Sequence, residues 1–400
     1  MTERQLFQRF LAPTSAEPMA LPVTRAEGAL LYDDAGKRYI DLIGGISVCN
    51  VGHCHPRVVA AIQQQATAYL HVMVYGEVVQ SPQVQYAALL TRHLPESLDC
   101  VYFTNSGAEA VEGAMKLAKR WTNRAGILAC HHSYHGSTQG ALSLLGDEYW
   151  RSAYRPLLPG IRHIRYNNYA DIELITEKDA CIVLETVQAE AGVKAPDREW
   201  LQAVRHQCDA TGTLLVLDEI QVGFGRTGTL WAFEQYGVVP DILLLGKALG
   251  GGMPLGAFIA SRSKMQALAD RPVLGHITTF GGHPVSCAAG KAALEALLEE
   301  QLMAQVPARE QLFRSCLQHK AIRDLRSCGL MMAVELEDFE NVKKVIAACL
   351  QHSPGVFTDW FLFAPQCIRI VPPLVITEAQ IREACAVILT ALDQAAVKPS

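Results

Sequence analysis

Six short runs of this 400-residue chain are apolar at nearly every position, and amphipathic stretches of helical length lie between them. The runs are Val101–Thr104, Ile127–Cys130, Cys181–Glu185, Leu214–Asp218, Ile242–Leu245 and Gly256–Ala260. A strand without polar alternation has no face to give to water, so it must be covered on both sides. Helical patterns such as Ala108–Trp121 and Glu199–Thr211 can supply that cover. The alternation predicts an α/β domain built on a mainly parallel sheet.

After Pro284 the rhythm changes. Ser286–Leu298 reads as a long helix, followed by a strand at Leu330–Leu336, a helix at Asn341–Gln351 and a strand at Cys367–Val371. A last helix is expected at Thr377–Ala396, started by a capping box of Thr377 and Gln380. This is the pattern of a smaller α+β domain. A hairpin from Ala29–Asp33 and Arg38–Asp41 is expected to join it. The expected division is an N-terminal segment 1–50 packed with the small domain, a large domain 51–285 and a small domain 286–400.

Composition narrows the function classes. Hydrophobic residues make up 50% of the chain and charged residues 19%, which suits a compact fold rather than a disordered one. A net charge of -5 and the lack of any basic run argue against a nucleic-acid partner. The twelve cysteines are scattered without a Cys-x-x-Cys pair, and several sit inside apolar strand patterns. Free thiols in a reducing cytoplasm are therefore expected. Glu3, Arg4 and Arg9 break up any secretory signal at the N-terminus. The long apolar stretch from Ile242 to Ala260 is interrupted by Lys247 and several glycines, so no membrane span is expected.

Ligands of open α/β sheets bind beyond the carboxyl ends of strands, and three features fall there. Asp218 closes Leu214–Asp218. Lys247 follows Ile242–Leu245 and precedes Gly250-Gly251-Gly252. Thr104 through Ala110 is a strand-to-helix junction of small residues, where backbone N–H groups can receive an anion. Each has an ordinary structural reading: a helix cap, a loop lysine, a helix start. No Walker lysine and no G-x-G-x-x-G accompanies the junction. Taken together, a phosphate cradle, a strand-end carboxylate and a strand-end amine are what a pyridoxal-phosphate site requires.

The motifs extend this reading. They are Gly52-His53-Cys54-His55-Pro56, Asn105 through Ala110, Tyr134-His135-Gly136, Glu185 through Glu190, Leu217 through Gly228, Lys247 through Gly252, Thr279-Phe280-Gly281-Gly282 and Arg369 through Pro373. In that order and over nearly the whole chain, the sequence resembles the class III aminotransferases of the fold type I pyridoxal-phosphate enzymes, in the acetylornithine and ornithine aminotransferase branch. The resemblance implies that Lys247 is the Schiff-base lysine and Asp218 the partner of the pyridine nitrogen. It implies that Ser106, Gly107 and Ala108 bind phosphate, Tyr134 covers the ring and Gln221 meets the ring hydroxyl. Thr279 would reach the phosphate of the neighbouring subunit, which makes the expected assembly a homodimer with shared active sites. Arg369 would clamp a substrate carboxylate, Glu190 would pair with Arg369 when no carboxylate is present, and Glu185 falls in the same substrate-side motif.

The expected reaction is ping-pong transfer of an amino group from an ω-amino acid to 2-oxoglutarate. Other donors such as lysine, 4-aminobutyrate or a simple amine, a related decarboxylase, and a cofactor-free binding homologue are the alternatives. No metal is expected: Cys49, His53, Cys54 and His55 fall in what the family uses as a turn, and His131, His132 and His135 surround the Tyr134 motif. Departures from the family pattern fall on the substrate side. Ser137 stands where arginine is common, Thr186 for proline, Ala189 for glycine, His283 for asparagine, and Ile46 where the ornithine enzyme carries tyrosine.

Overall fold

A computed structural model describes residues 1–396. Near the N-terminus, β1 (Val23–Glu27), β2 (Leu30–Asp33) and β3 (Arg38–Asp41) form an antiparallel meander. The central sheet follows: β4 (Cys100–Thr104), β5 (Gly126–Cys130), β6 (Ile161–Ile164), β7 (Asp179–Glu185), β8 (Leu214–Asp218), β9 (Ile242–Leu245) and β10 (Gly256–Ala260). Its spatial order is β4-β10-β9-β8-β7-β5-β6. Only β10 runs against its neighbours, so the sheet is mainly parallel as expected.

Every residue of β7, β8, β9 and β10 is buried. That burial is why these strands carry no polar alternation. The strand β6 was not among the six expected, because Arg162 and His163 interrupt its apolar pattern. It lies at the sheet edge, where Arg162 can reach out to Asp179 at 2.6 Å.

The C-terminal part holds β11 (Asp324–Ser327), β12 (Met332–Glu335), β13 (Gly355–Phe357), β14 (Trp360–Phe361) and β15 (Ala364–Ile370). Four of them make an antiparallel sheet ordered β11-β12-β15-β14. The fifth, β13, leaves that sheet and pairs parallel with β3 of the N-terminal meander. The expected hairpin therefore exists, with β1 as a third strand beside it. Helix Glu378–Ala396 begins at the capping box: the Thr377 N–H donates to Gln380 Oε1 at 2.9 Å, and the Gln380 N–H donates to Thr377 Oγ1 at 3.2 Å.

What positions the site is the common direction of the parallel strands. Thr104, Cys130, Glu185, Asp218 and Leu245 are the carboxyl-terminal residues of β4, β5, β7, β8 and β9. Glu185 and Asp218 are register partners on adjacent strands. The loops leaving these ends meet on one side of the sheet.

Candidate active site

The base of the site is a buried acid–imidazole pair. Asp218 Oδ2 lies 2.7 Å from His135 Nδ1, and Asp218 Oδ1 accepts the Ile220 N–H at 2.9 Å. Burial by itself would depress the pKa of His135, but the Asp218 carboxylate outweighs it and raises the value. The imidazole and the Ile220 N–H together fix the orientation of the Asp218 carboxylate. Sequence reasoning placed His135 only within the Tyr134 motif and among possible metal ligands. Its position between Tyr134 and Gly136 was the available signal for a site role.

Beside this pair, helix Gly107–Thr122 opens with Ser106 as its N-cap, whose Oγ accepts the Glu109 N–H at 3.2 Å. The chain is tight around the helix start. A Cβ on Gly107 would meet Ile220 at 2.8 Å, and one on Gly136 would meet Ala108 at 2.5 Å. Ser106, Gly107, Ala108, Tyr134, Asp218, Gln221 and Lys247 line one cavity of about 250 Å3, together with Ser137 and Glu185. The Tyr134 hydroxyl lies 3.1 Å from Ser137 Oγ.

Lys247 sits just past β9 with φ +48, a left-handed conformation unusual for a lysine. Burial lowers its pKa, and the Arg369 cation adds to that, against the pull of Glu190, Asp218 and Glu185. A lysine so placed gives up its proton more readily.

The third part is an ion-pair cluster. Arg369 Nη1 donates to Glu190 Oε1 at 2.7 Å and Nη2 to Glu190 Oε2 at 3.0 Å, with both side chains buried. The Leu362 N–H also donates to Glu190 Oε2 at 3.0 Å. Arg369 Nη2 donates to the Trp360 carbonyl at 2.7 Å, and Arg369 Nε lies 2.8 Å from Asp359 Oδ1. Burial raises the Glu190 pKa and lowers that of Arg369, but their mutual attraction reverses both shifts. No sequence motif contains Asp359, so its place in the cluster was not foreseen.

Glu185 uses both oxygens on backbone: Oε1 accepts the Tyr134 N–H at 2.9 Å and Oε2 accepts the Ala189 N–H at 3.0 Å. Burial pushes its carboxyl up to about 7. It thus ties the Tyr134 loop to the loop bearing Glu190. The neighbouring Glu219 is wholly buried and accepts from Ala232 N, Phe233 N and Thr186 Oγ1. Thr186 therefore serves this motif through its hydroxyl. Thr279 is exposed and does not line the cavity of its own chain.

His53 Nε2 lies 2.6 Å from Asp41 Oδ2, and His55 Nε2 lies 2.9 Å from Glu300 Oε1. His283 caps helix Pro284–Glu299 and stacks on His71 with ring centroids 5.7 Å apart.

Comparison with known proteins decides the family. The family model for aminotransferase class III matches residues 11–392. The chain belongs to the class III aminotransferases. This class III aminotransferase is 41% identical to the acetylornithine aminotransferase of Methanosarcina mazei, over 90% of this chain and 89% of the relative. It is 39% identical to the acetylornithine aminotransferase of Methanopyrus kandleri, over 98% of this chain and 99% of the relative. Among solved structures, the ornithine aminotransferase of Toxoplasma gondii superposes with a TM-score of 0.90 at 29% identity, covering 98% and 94% of the two chains.

The enzyme is therefore a pyridoxal-phosphate-dependent transaminase acting on small amino and oxo acids. The residues present fit that cofactor. Gln221 Nε2 is buried and has no hydrogen-bond partner among the described residues, so a polar group is called for beside it. Ser106 through Ala108 offer a helix start closed in by Ile220, and the amine and the carboxylate share the cavity with them.

Proposed function

We propose that this class III aminotransferase moves the amino group of an ω-amino acid of the acetylornithine or ornithine type to 2-oxoglutarate. The observation that carries this reading is the buried two-point pair of Arg369 and Glu190 close to Lys247. A guanidinium fork matches a carboxylate. An ω-amino donor brings no carboxylate near its reacting nitrogen, so Glu190 stays on Arg369. A 2-oxo acid brings one, and it replaces Glu190. The acetylornithine aminotransferases among the relatives support the same donor class.

Pyridoxal phosphate, when bound, supplies an aldehyde carbon and a ring that withdraws electrons from the reacting carbon. In the proposed division of work, the Ser106–Ala108 helix start holds its phosphate and Tyr134 covers the ring. Gln221 meets the ring hydroxyl. Asp218, steadied by His135, keeps the ring nitrogen protonated. Lys247 Nζ would anchor the cofactor and, when not bonded to it, would take the proton from the donor carbon and deliver it on the cofactor side, so that the amino group stays behind. Glu185 fixes the two loops that carry Tyr134 and Glu190.

The proposed assembly is a homodimer in which Thr279 completes the partner's phosphate site. Thr279 is exposed in the single chain and lies among exposed apolar residues such as Ile277 and Phe280, with Leu70, Met73 and Val79 also exposed. The proposed domains are a segment 1–50 and residues 286–400 around a large domain 51–285, supported by the β3–β13 pairing. The proposed location is the cytoplasm. All twelve cysteines are free, and among the described residues no helix is long and apolar enough to cross a membrane.

The test is a panel of donors with 2-oxoglutarate, following glutamate. N-acetylornithine or ornithine should lead the panel. Turnover confined to α-amino donors would overturn the reading.

A further inference from the structure

We propose that Asp359 is a permanent counter-ion of Arg369 that limits how tightly the arginine holds an incoming substrate carboxylate. This rests on the reading that Arg369 receives the acceptor.

The partners of Arg369 come from two places. Glu190 arrives from the loop after β7. The rest belong to the hairpin that carries Arg369 itself. The Arg369 N–H donates to the Asp359 carbonyl at 2.9 Å, so Asp359 is pinned directly across from it. Thr358 Oγ1 donates to the Arg369 carbonyl at 2.5 Å. The Trp360 carbonyl takes Nη2, and the Phe361 ring lies under the guanidinium, its centroid 4.5 Å from Cζ. These contacts move with Arg369 and cannot be exchanged when substrate enters. Glu190 can.

Asp359 places its charge on the side of the guanidinium that the substrate does not use, with Oδ1 2.8 Å from Arg369 Nε. Trp360 and Phe361 already orient the fork. A carboxylate fixed on the Nε edge repels any second carboxylate on the Nη1–Nη2 edge. Across a few ångströms of partly buried protein that repulsion weakens binding on the order of tenfold. The same anion keeps Arg369 from becoming a bare buried cation while Glu190 is displaced. The arginine can then trade one carboxylate for another, and the amino acid product can leave.

Asp359 also has the protonation behaviour such a role needs. Burial lifts its carboxyl to about 6, Arg369 opposes the shift, and Glu190 and Asp41 add to it. These are the charges that act on it from the hairpin, the β7 loop and the end of β3. Protonation removes the resident charge. With Glu190 removed, so that a dicarboxylate adds a charge instead of exchanging one, its binding should therefore tighten as pH falls and Asp359 takes up its proton, although glutarate's own protonation works the other way.

The probe is glutarate, an unreactive dicarboxylate, titrated calorimetrically into the holoenzyme. Removing Glu190 first isolates the effect of Asp359. Glu190→Ala/Asp359→Asn should bind glutarate on the order of tenfold more tightly than Glu190→Ala. Glu190→Ala, in which glutarate adds a carboxylate instead of exchanging one, should take up protons on binding, seen by comparing buffers of different ionisation enthalpy. Asp359→Asn should abolish that uptake. Equal or weaker binding by the double variant would overturn the inference and make Asp359 an orienting residue. If the double variant does not fold, the buffer comparison on Glu190→Ala decides, and no proton uptake overturns it. Glutarate binding untouched by Arg369→Ala would instead overturn the acceptor reading itself.

Discussion

Glu190→Ala tests the exchange at Arg369 most directly. The substitution removes a carboxylate that receives two guanidinium N–H groups, at 2.7 and 3.0 Å, and the Leu362 N–H. Breaking a buried ion pair from one side costs ~3–5 kcal/mol when the remaining charge is stranded. Here Arg369 keeps Asp359 at 2.8 Å and the Trp360 carbonyl at 2.7 Å. The loss of stability should therefore fall below that range, to about 1–3 kcal/mol. The effect on specificity has the opposite sign for the two substrate classes. An α-carboxylate no longer has to displace a resident anion, whose gross attraction is ~4 kcal/mol for charges 4 Å apart at an effective dielectric near 20. If a quarter to a half of that remains after solvent and loop rearrangement, α-carboxylate substrates gain about 1–2 kcal/mol, or roughly 5- to 30-fold. An ω-amino donor gains nothing and meets a less neutralised cation. Stopped-flow absorbance of the first half-reaction should show the ratio of kcat/KM for glutamate over N-acetylornithine rising by about tenfold. A ratio unchanged within about twofold, with the stability loss present, would refute the exchange and leave Glu190 as scaffolding.

Lys247→Ala should fold and retain the cofactor while losing turnover by at least ~10²–10⁴-fold, the contribution of a positioned base; near-normal single-turnover rates would exclude it as that base. Asp218→Asn should slow the half-reactions far more than it lowers the melting temperature, and should lower the His135 pKa, which the Asp218 carboxylate raises, as read by nuclear magnetic resonance. A large stability loss at unchanged rate would make Asp218 a structural cap. Mixing Lys247→Ala subunits with Thr279→Ala subunits, each nearly inactive, should restore activity, because one site of a mixed dimer carries neither defect. A fully active monomer at assay concentration would end the shared-site proposal.

The strands and helices were legible where local pattern and burial agree. Leu214–Asp218 and Ile242–Leu245 were marked by unbroken apolar runs, because strands covered on both faces cannot be anything else. Edge strand Ile161–Ile164 was not, because one exposed flank admits Arg162 and His163 and erases the pattern. In the candidate site, Lys247, Asp218 and the Ser106 helix start were legible because each lies at a strand end in a distinctive local context. Glu185 could be assigned only to a substrate-side motif. Its bonds to Tyr134 and Ala189 join loops that sequence spacing does not relate.

The sequence alone determined the residue types, their order along the chain and the local frames that expose them: a lysine after β9, an acid at the end of β8, a small-residue helix start after β4. Those follow from short-range chemistry, which a linear string records. Only the tertiary structure decided who faces whom. It set His135 against Asp218 and folded the Asp359 hairpin around Arg369. It also brought Glu190 across from another part of the chain to share the same guanidinium. Those pairings depend on strand order and loop packing, and charges interact through the distance between them in space, whatever their separation in sequence.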